Sequence, residues 1–273
     1  MRRCASARNA PRFSSAPYRQ RRIPRIYCIV VNFWKIEKSK ADASAFVEPL
    51  ILYAVLFFRF ASVSAAPQAL PEPAEFSAGA GLAWFVLHTV PSLALVWYLL
   101  LRAKSLKEWG VTWPGRKDII PALASLAAIA LVGLGAAAAA RHLGALPEFP
   151  RLLPPTAIVP WAVLVVFVFG GAYLEESFFR FYLLSKWVKT GNAPRDDGSQ
   201  DSVSRGLGPH RAVFVSTLMF ALCHAYAGPW GFVNAAVSGT ALAYIFLRTR
   251  SLHGVSIAHG LYNVMVFAIG PAA

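Results

Sequence analysis

The chain has 273 residues, of which 56% are hydrophobic and only 15% are charged. A typical globular chain carries about 25% charged residues, so an ordinary soluble enzyme, a coiled coil and a disordered chain all fit poorly. Residues 1–40 account for +10 of the net charge of +14, and the rest of the chain is nearly balanced. This distribution excludes the basic, aromatic-rich face that nucleic-acid binding requires. The composition instead predicts an all-α, polytopic integral membrane protein.

Apolar runs of about 20 residues, the length that crosses a bilayer, predict the helices of this bundle. We expect about seven transmembrane helices (six to eight), over residues 46–66, 78–101, 119–140, 157–184, 212–227, 229–247 and 254–271. Gly, Ser and Asp are frequent in residues 191–209, which predicts a polar linker. The chain therefore divides into a basic tail (1–45), N-terminal transmembrane helices (46–155) and a C-terminal segment with polar motifs (156–271).

The basic tail, residues 1–45, has three interpretations. It fixes the topology and contacts anionic lipid, it is a transit-like targeting peptide, or it results from a gene start assigned too early. Further Lys and Arg residues concentrate in 102–118, 185–211 and 248–253. The positive-inside rule predicts that these segments and the N-terminus are cytoplasmic, although 141–156 also contains two Arg residues. We expect a multi-pass protein in the cell membrane of a bacterium.

Six polar residues inside the predicted spans are the candidate site residues. They are Glu175, Glu176 and Arg180 in the fourth span, His224 in the fifth, and His259 and Asn263 in the seventh. Ionisable groups at such positions cost about 2.5–3.5 kcal/mol each and mark functional sites. Residues four apart share a helix face, so Glu176 is predicted to pair with Arg180. Glu175 points about 100° away from Glu176, so the two carboxylates need different partners.

The depth of these groups gives an independent argument. At 1.5 Å per residue, Glu175 and His259 lie about 14–16 Å from the nearest predicted cytoplasmic charge, and His224 and Asn263 about 20 Å. All four therefore fall in the middle zone of a hydrocarbon core about 30 Å thick. Three separate helices are thus expected to bring polar groups to a similar level.

These residue types are suited to activating water. A carboxylate beside a His can polarise a water molecule and accept its proton. A second His and an Asn are suitable donors to the oxyanion that forms on a peptide carbonyl. A structural ion-pair network and interhelical hydrogen bonds remain alternatives for the same residues. We interpret Phe220 as core packing and Tyr226 as a packing or interface residue.

The motifs Glu175-Glu176-xxx-Arg180, Phe220-xxx-His224 and His259-xxx-Asn263 resemble those of the CPBP family of intramembrane glutamic endopeptidases. This family is also called the CAAX-protease and bacteriocin-processing family, or Abi family. The resemblance covers about residues 156–271 and marks this segment as a catalytic core. The preceding spans carry no comparable motif.

The resemblance also implies roles for the six residues. Glu175 would activate the water with the help of His224, and His259 and Asn263 would hold the oxyanion. Glu176 and Arg180 would orient and tune this site. No cofactor is expected, although a zinc-dependent variant of the same protease stays open. The implied partner is a membrane-associated protein or peptide substrate within the lipid bilayer, and no nucleic acid.

Two functions of other classes remain as hypotheses. A non-catalytic scaffold or immunity protein on the same fold would bind a partner without needing all six polar residues. A transporter or channel would use the buried carboxylates and His residues as a proton relay. The small number of spans and the lack of an inverted repeat argue against a transporter.

Overall fold

A computed structural model describes residues 40–57, 74–103, 113–143, 152–188 and 207–269. This part of the chain forms seven helices, the number predicted, although five of them and not seven are long and apolar enough to be transmembrane. They are α1 (Lys40–Phe57), α2 (78–103), α3 (Ile119–His142), α4 (Ile158–Trp187), α5 (Pro209–Leu222), α6 (Gly228–Thr249) and α7 (Leu252–Ile269). The basic tail before residue 40 and residues 191–206 of the predicted linker lie outside the described residues. The first helix begins at Lys40, earlier than the predicted residue 46, and its predicted end at 66 also lies outside them.

Five of the described helices are long and apolar enough to cross a membrane: α2, α3, α4, α6 and α7. Their outer faces expose large apolar side chains, including Leu87 (78% exposed) on α2 and Ile158 (82% exposed) on α4. Such surfaces are unfavourable in water but are favourable against lipid tails. The chain is therefore an integral, multi-pass membrane protein with an all-α fold.

The helix α5 is shorter than the span predicted over 212–227. It has 14 residues and ends at Leu222, because Cys223 and His224 form a turn before the 3-10 segment Ala225–Ala227. A helix of that length reaches about 21 Å, less than the hydrocarbon core of about 30 Å. The helix α5 alone is therefore too short to cross that core, and His224 lies in the turn after it instead of in a helix.

The carbonyl groups at the end of α5 have partners from outside the helix. A helix end leaves its last four carbonyls without an intrahelical donor. The hydroxyl of Tyr53, on α1, donates to the carbonyl of Met219 at 3.0 Å. The backbone N–H of His224 donates to Ala221 at 2.9 Å. The helix α1, which contains none of the sequence motifs, thus supports the end of the helix that precedes His224.

Three contacts connect the helices at one end of the bundle, where α3, α5 and α7 begin and α4 and α6 end. They are a Ser251–Asp118 hydrogen bond of 2.5 Å, a His210–Tyr244 hydrogen bond of 2.7 Å and a bridge between Val188 and Leu207. Basic residues gather at this end: Arg116, Lys117, Lys186, Arg211, Arg248 and Arg250. The basic segments predicted to be cytoplasmic therefore meet on one side of the bundle. Which side of the membrane this end faces remains a prediction of the positive-inside rule.

A short strand pair lies outside the helices. Ala74–Glu75, before α2, pairs in parallel with Leu152–Leu153, before α4. The pair links the segments that lead into these two helices, which then pack against each other. With two residues in each strand, it does not change the all-α class.

Candidate active site

The helix α4 carries the first motif where its geometry changes. It is α-helical up to Glu175 and π-helical over Glu176–Leu183, and every residue of the π segment is buried. Short π segments within helices are frequent at functional sites because they shift the side chains that follow. Here Glu176 and Arg180 form the predicted ion pair, with 3.1 Å between Oε2 and Nε, and both side chains are at most 1% exposed.

A single imidazole from α7 lies between the two carboxylates. The Nδ1 atom of His259 lies 2.9 Å from Oε1 of Glu176, and its Nε2 atom lies 3.7 Å from Oε2 of Glu175. The prediction that the two carboxylates need different partners is therefore wrong for His259. The two nitrogen atoms lie on different edges of the ring, so one imidazole reaches two carboxylates that leave α4 in different directions.

The environments of the two carboxylates differ. Glu176 is fully buried and is engaged by both Arg180 and His259. The side chain of Glu175 is 25% exposed. In both carboxylates Oε2 has no hydrogen-bond partner among the described residues, although Oε2 of Glu176 lies 3.1 Å from Nε of Arg180. Glu175 also lies within electrostatic range of Cys223 and Tyr226, in the segment around His224. Glu175 is thus the carboxylate that retains capacity to bind a further molecule.

His224 is held by the end of the preceding helix. Its Nδ1 atom lies 2.9 Å from the carbonyl oxygen of Phe220. A carbonyl can only accept, so Nδ1 carries the hydrogen, and the Nε2 atom of the neutral ring keeps its lone pair. Rings flank His224 on both sides, with centroid distances of 4.6 Å to Phe220 and 6.3 Å to Tyr226.

Asn263 lies on α7, one helical turn after His259, and is half-buried. Within the described ranges, no hydrogen bond or ion pair joins it to the cluster. The structure therefore brings together Glu175, Glu176, Arg180 and His259, with His224 reached through Phe220. Asn263 is near in sequence position but makes none of these contacts.

Gly239 was not recognised from the sequence as part of the site. Its carbonyl accepts a hydrogen bond of 3.4 Å from Nη2 of Arg180. A Cβ atom at this position would lie 2.8 Å from the Phe220 ring and 3.3 Å from Nη2 of Arg180. A glycine in a helix gives no signal of such a close approach until the neighbouring helices are known.

Gly239→Ala is expected to lower the free energy of unfolding by about 1–3 kcal/mol, because the added methyl group overpacks the core beside Phe220. Gly135→Ala is the matched control, since a Cβ at Gly135 on α3 has nothing within 4 Å. Thermal unfolding of both variants in detergent checks the difference. Equal unfolding temperatures would contradict the close approach at Gly239.

Within the described ranges, no group of three or more His, Cys, Asp and Glu side chains has an arrangement that could hold a metal ion.

The described helices form an apolar bundle around a buried cluster of two carboxylates, an imidazole and a guanidinium. Residues 155–265 match the family described as Type II CAAX prenyl endopeptidase Rce1-like. This segment contains all three motifs, and the match supports the CPBP/CAAX-protease family that the motifs predicted. No curated protein and no solved structure matches the chain significantly.

Proposed function

We propose that the protein is an integral-membrane endopeptidase in which Glu175 activates the attacking water. The observation that carries this proposal is the difference between the two carboxylates. Glu176 is fully buried between Arg180 and His259, whereas the side chain of Glu175 is 25% exposed. A carboxylate with a free lone pair in a low-dielectric site is suited to general-base chemistry.

In the proposed reaction, Glu175 accepts a proton from water as the water oxygen attacks the carbonyl carbon of the scissile peptide bond. The resulting tetrahedral oxyanion needs donors placed before the reaction begins. His259, with hydrogen on both ring nitrogens, and Asn263 are proposed to provide them, with His224 assisting Glu175. The C–N bond then breaks, and the proton held by Glu175 passes to the leaving amine. The products are a carboxylic acid, which then ionises, and an amine.

Glu176 and Arg180 are proposed to orient the site without contacting substrate. Their ion pair is almost fully buried, and Glu176 holds the Nδ1 edge of His259 at 2.9 Å. A carboxylate hydrogen-bonded to one nitrogen of a His fixes the direction in which the other nitrogen points. The Nε2 edge of His259 is thereby kept towards Glu175, where the reaction is proposed to occur.

The substrate is proposed to be a membrane-associated polypeptide. The family description favours a prenylated C-terminal CAAX segment. A bacteriocin leader and a membrane-anchored regulator are the other substrates to be tested. Because the carboxylates and His259 lie on two membrane-spanning helices that pack against each other, a lipid-attached or transmembrane peptide has the most direct access.

Cleavage assays with purified protein in detergent test the proposal, with prenylated, unprenylated and transmembrane peptides as substrates. We expect His224→Gln to lower kcat about 10- to 100-fold, because it removes an assisting group. His142→Gln is the matched control, since His142 is exposed at the end of α3. Activity of the wild-type protein should survive a strong chelator.

Other outcomes of this assay would favour other functions. Loss of activity with chelator and recovery with added zinc would favour the zinc-dependent variant. If the wild-type protein cleaves none of the peptides and His224→Gln retains the cellular phenotype, a non-catalytic scaffold is favoured. Equal cleavage by wild type and His224→Gln would remove His224 from the proposed mechanism.

A further inference from the structure

We propose that Phe220 is a positioning residue of the site, and that it holds Arg180 and His224 in their working arrangement. This inference rests on the proposed function. It assigns to Phe220 a role beyond the core packing expected from its apolar side chain. The proposal depends on three features: the contacts of the Phe220 ring, the hydrogen bond of the Phe220 carbonyl to His224, and the close approach of Gly239 on α6 to the ring.

The ring of Phe220 contacts three of the six polar residues. The guanidinium carbon of Arg180 lies 4.1 Å from the ring centroid. The ring of His224 lies 4.6 Å away between centroids, and that of His259 lies 6.0 Å away in an edge-on arrangement. With Phe220 itself only 3% exposed, these contacts are shielded from solvent. The ring therefore lies between side chains that come from α4, α7 and the turn after α5.

Among the neighbours of Phe220, the guanidinium of Arg180 would be affected most if an aliphatic side chain replaced the aromatic ring. Arg180 is 1% exposed, and its Nη1 atom has no hydrogen-bond partner among the described residues. The negative face of an aromatic ring attracts a cation, and this attraction is strongest where water is excluded. A Leu side chain would fill similar space but would offer no such face. The aromatic character of Phe220 thus helps to hold a cation that the protein satisfies only in part.

The carbonyl of Phe220 adds a second constraint. The carbonyl oxygen lies 2.9 Å from Nδ1 of His224 and accepts its hydrogen. Phe220 therefore contacts the His224 ring with its side chain and fixes the tautomer of that ring with its backbone. The Nε2 lone pair of the neutral ring is then the group available to water or substrate. Without the Phe220 ring, the imidazole of His224 would lose its neighbour and could rotate. The backbone carbonyl would remain, but its hydrogen bond to the rotating imidazole would be weaker.

Phe220→Leu tests the role of the ring in catalysis. We expect kcat, measured per folded protein, to fall about 10- to 100-fold while KM stays within about twofold, because small displacements of catalytic groups are costly. Phe246→Leu is the matched control: Phe246 is 2% exposed and its ring contacts Phe181 and Arg250, which are not among the six polar residues. Equal kcat per folded protein in the two variants would overturn the proposal.

A spectroscopic readout separates positioning from a loss of folded protein. The chain has six His residues, so ¹⁵N signals of labelled His can be assigned by single His→Gln substitutions. The wild-type protein is expected to show His224 as the Nδ1–H tautomer, and Phe220→Leu to show a mixture of tautomers. An unchanged Nδ1–H tautomer in Phe220→Leu would contradict the proposed control by Phe220, whether or not a substrate is known.

Gly239→Ala displaces the Phe220 ring without changing its chemistry, and is useful if Phe220→Leu folds poorly. If Gly239→Ala acts through the ring, the double variant Phe220→Leu/Gly239→Ala should have the kcat of Phe220→Leu alone. If the loss of kcat in the double variant were the product of the losses in the two single variants, the result would count against the proposal. The variant Glu175→Gln, run beside these, tests the proposed function separately: full activity in that variant would reject Glu175 as the group that activates water, whatever Phe220→Leu does.

Discussion

Glu175→Gln is expected to lower kcat about 10²- to 10⁴-fold, because the amide cannot accept the proton that a general base must take from water. The substitution keeps the size of the side chain. It also leaves the buried Glu176–Arg180 ion pair and the Glu176–His259 contact intact. We therefore expect the variant to fold normally and to bind substrate with little change in KM.

The measurement is the initial rate of peptide cleavage by purified protein in detergent. Glu75→Gln is the matched control, since Glu75 is exposed in the short strand before α2. A variant that retains more than about one tenth of the wild-type kcat would show that Glu175 is not the general base. Glu176 would be a poor replacement in this role, because it is already engaged by Arg180 and His259.

Arg180→Gln is expected to lower the free energy of unfolding by about 3–5 kcal/mol, because it leaves the carboxylate of Glu176 buried without its cation. Glu176 is fully buried, so the lost partner cannot be replaced by bulk water. The double variant Glu176→Gln/Arg180→Gln removes both charges and should recover part of this loss. The comparison separates the ion pair from the packing of the long Arg side chain.

Thermal or denaturant unfolding in detergent measures these differences. Arg248→Gln is the control, since Arg248 is exposed near the end of α6. The largest loss of stability is expected in the single variant Arg180→Gln. If the single and double variants were equally unstable, the charge of Glu176 would not be the source of the loss.

The sequence predicted the parts of the fold that depend on local patterns. Long apolar runs predicted the helices because a bilayer sets their length. The spacing of four residues predicted the Glu176–Arg180 pair because neighbours on a helix face are fixed by the backbone. The expectation of a common depth also agrees with the contact between Glu176 and His259, on two different helices.

The remaining features depend on tertiary contacts that no local pattern records. The π segment after Glu175 changes the side-chain directions that an ideal α-helix predicts, and His259 contacts both carboxylates. The approach of Gly239 to Phe220 requires that α5 and α6 already be packed together. For Asn263 the sequence predicted more than the structure shows. Its place in a motif predicted a role in the site, but among the described residues no hydrogen bond or ion pair joins it to the cluster.

The short helix α5 has a consequence for hydration. Backbone that is not helical is tolerated at membrane depth only where protein or water satisfies its polar groups. Tyr53 and His224 donate hydrogen bonds to carbonyl groups at the end of α5, before the turn of Cys223 and His224. A polar cavity at this depth would hold water molecules where the surrounding lipid excludes them. An interrupted helix thus offers a route by which a hydrolytic reaction obtains its second reactant inside a membrane.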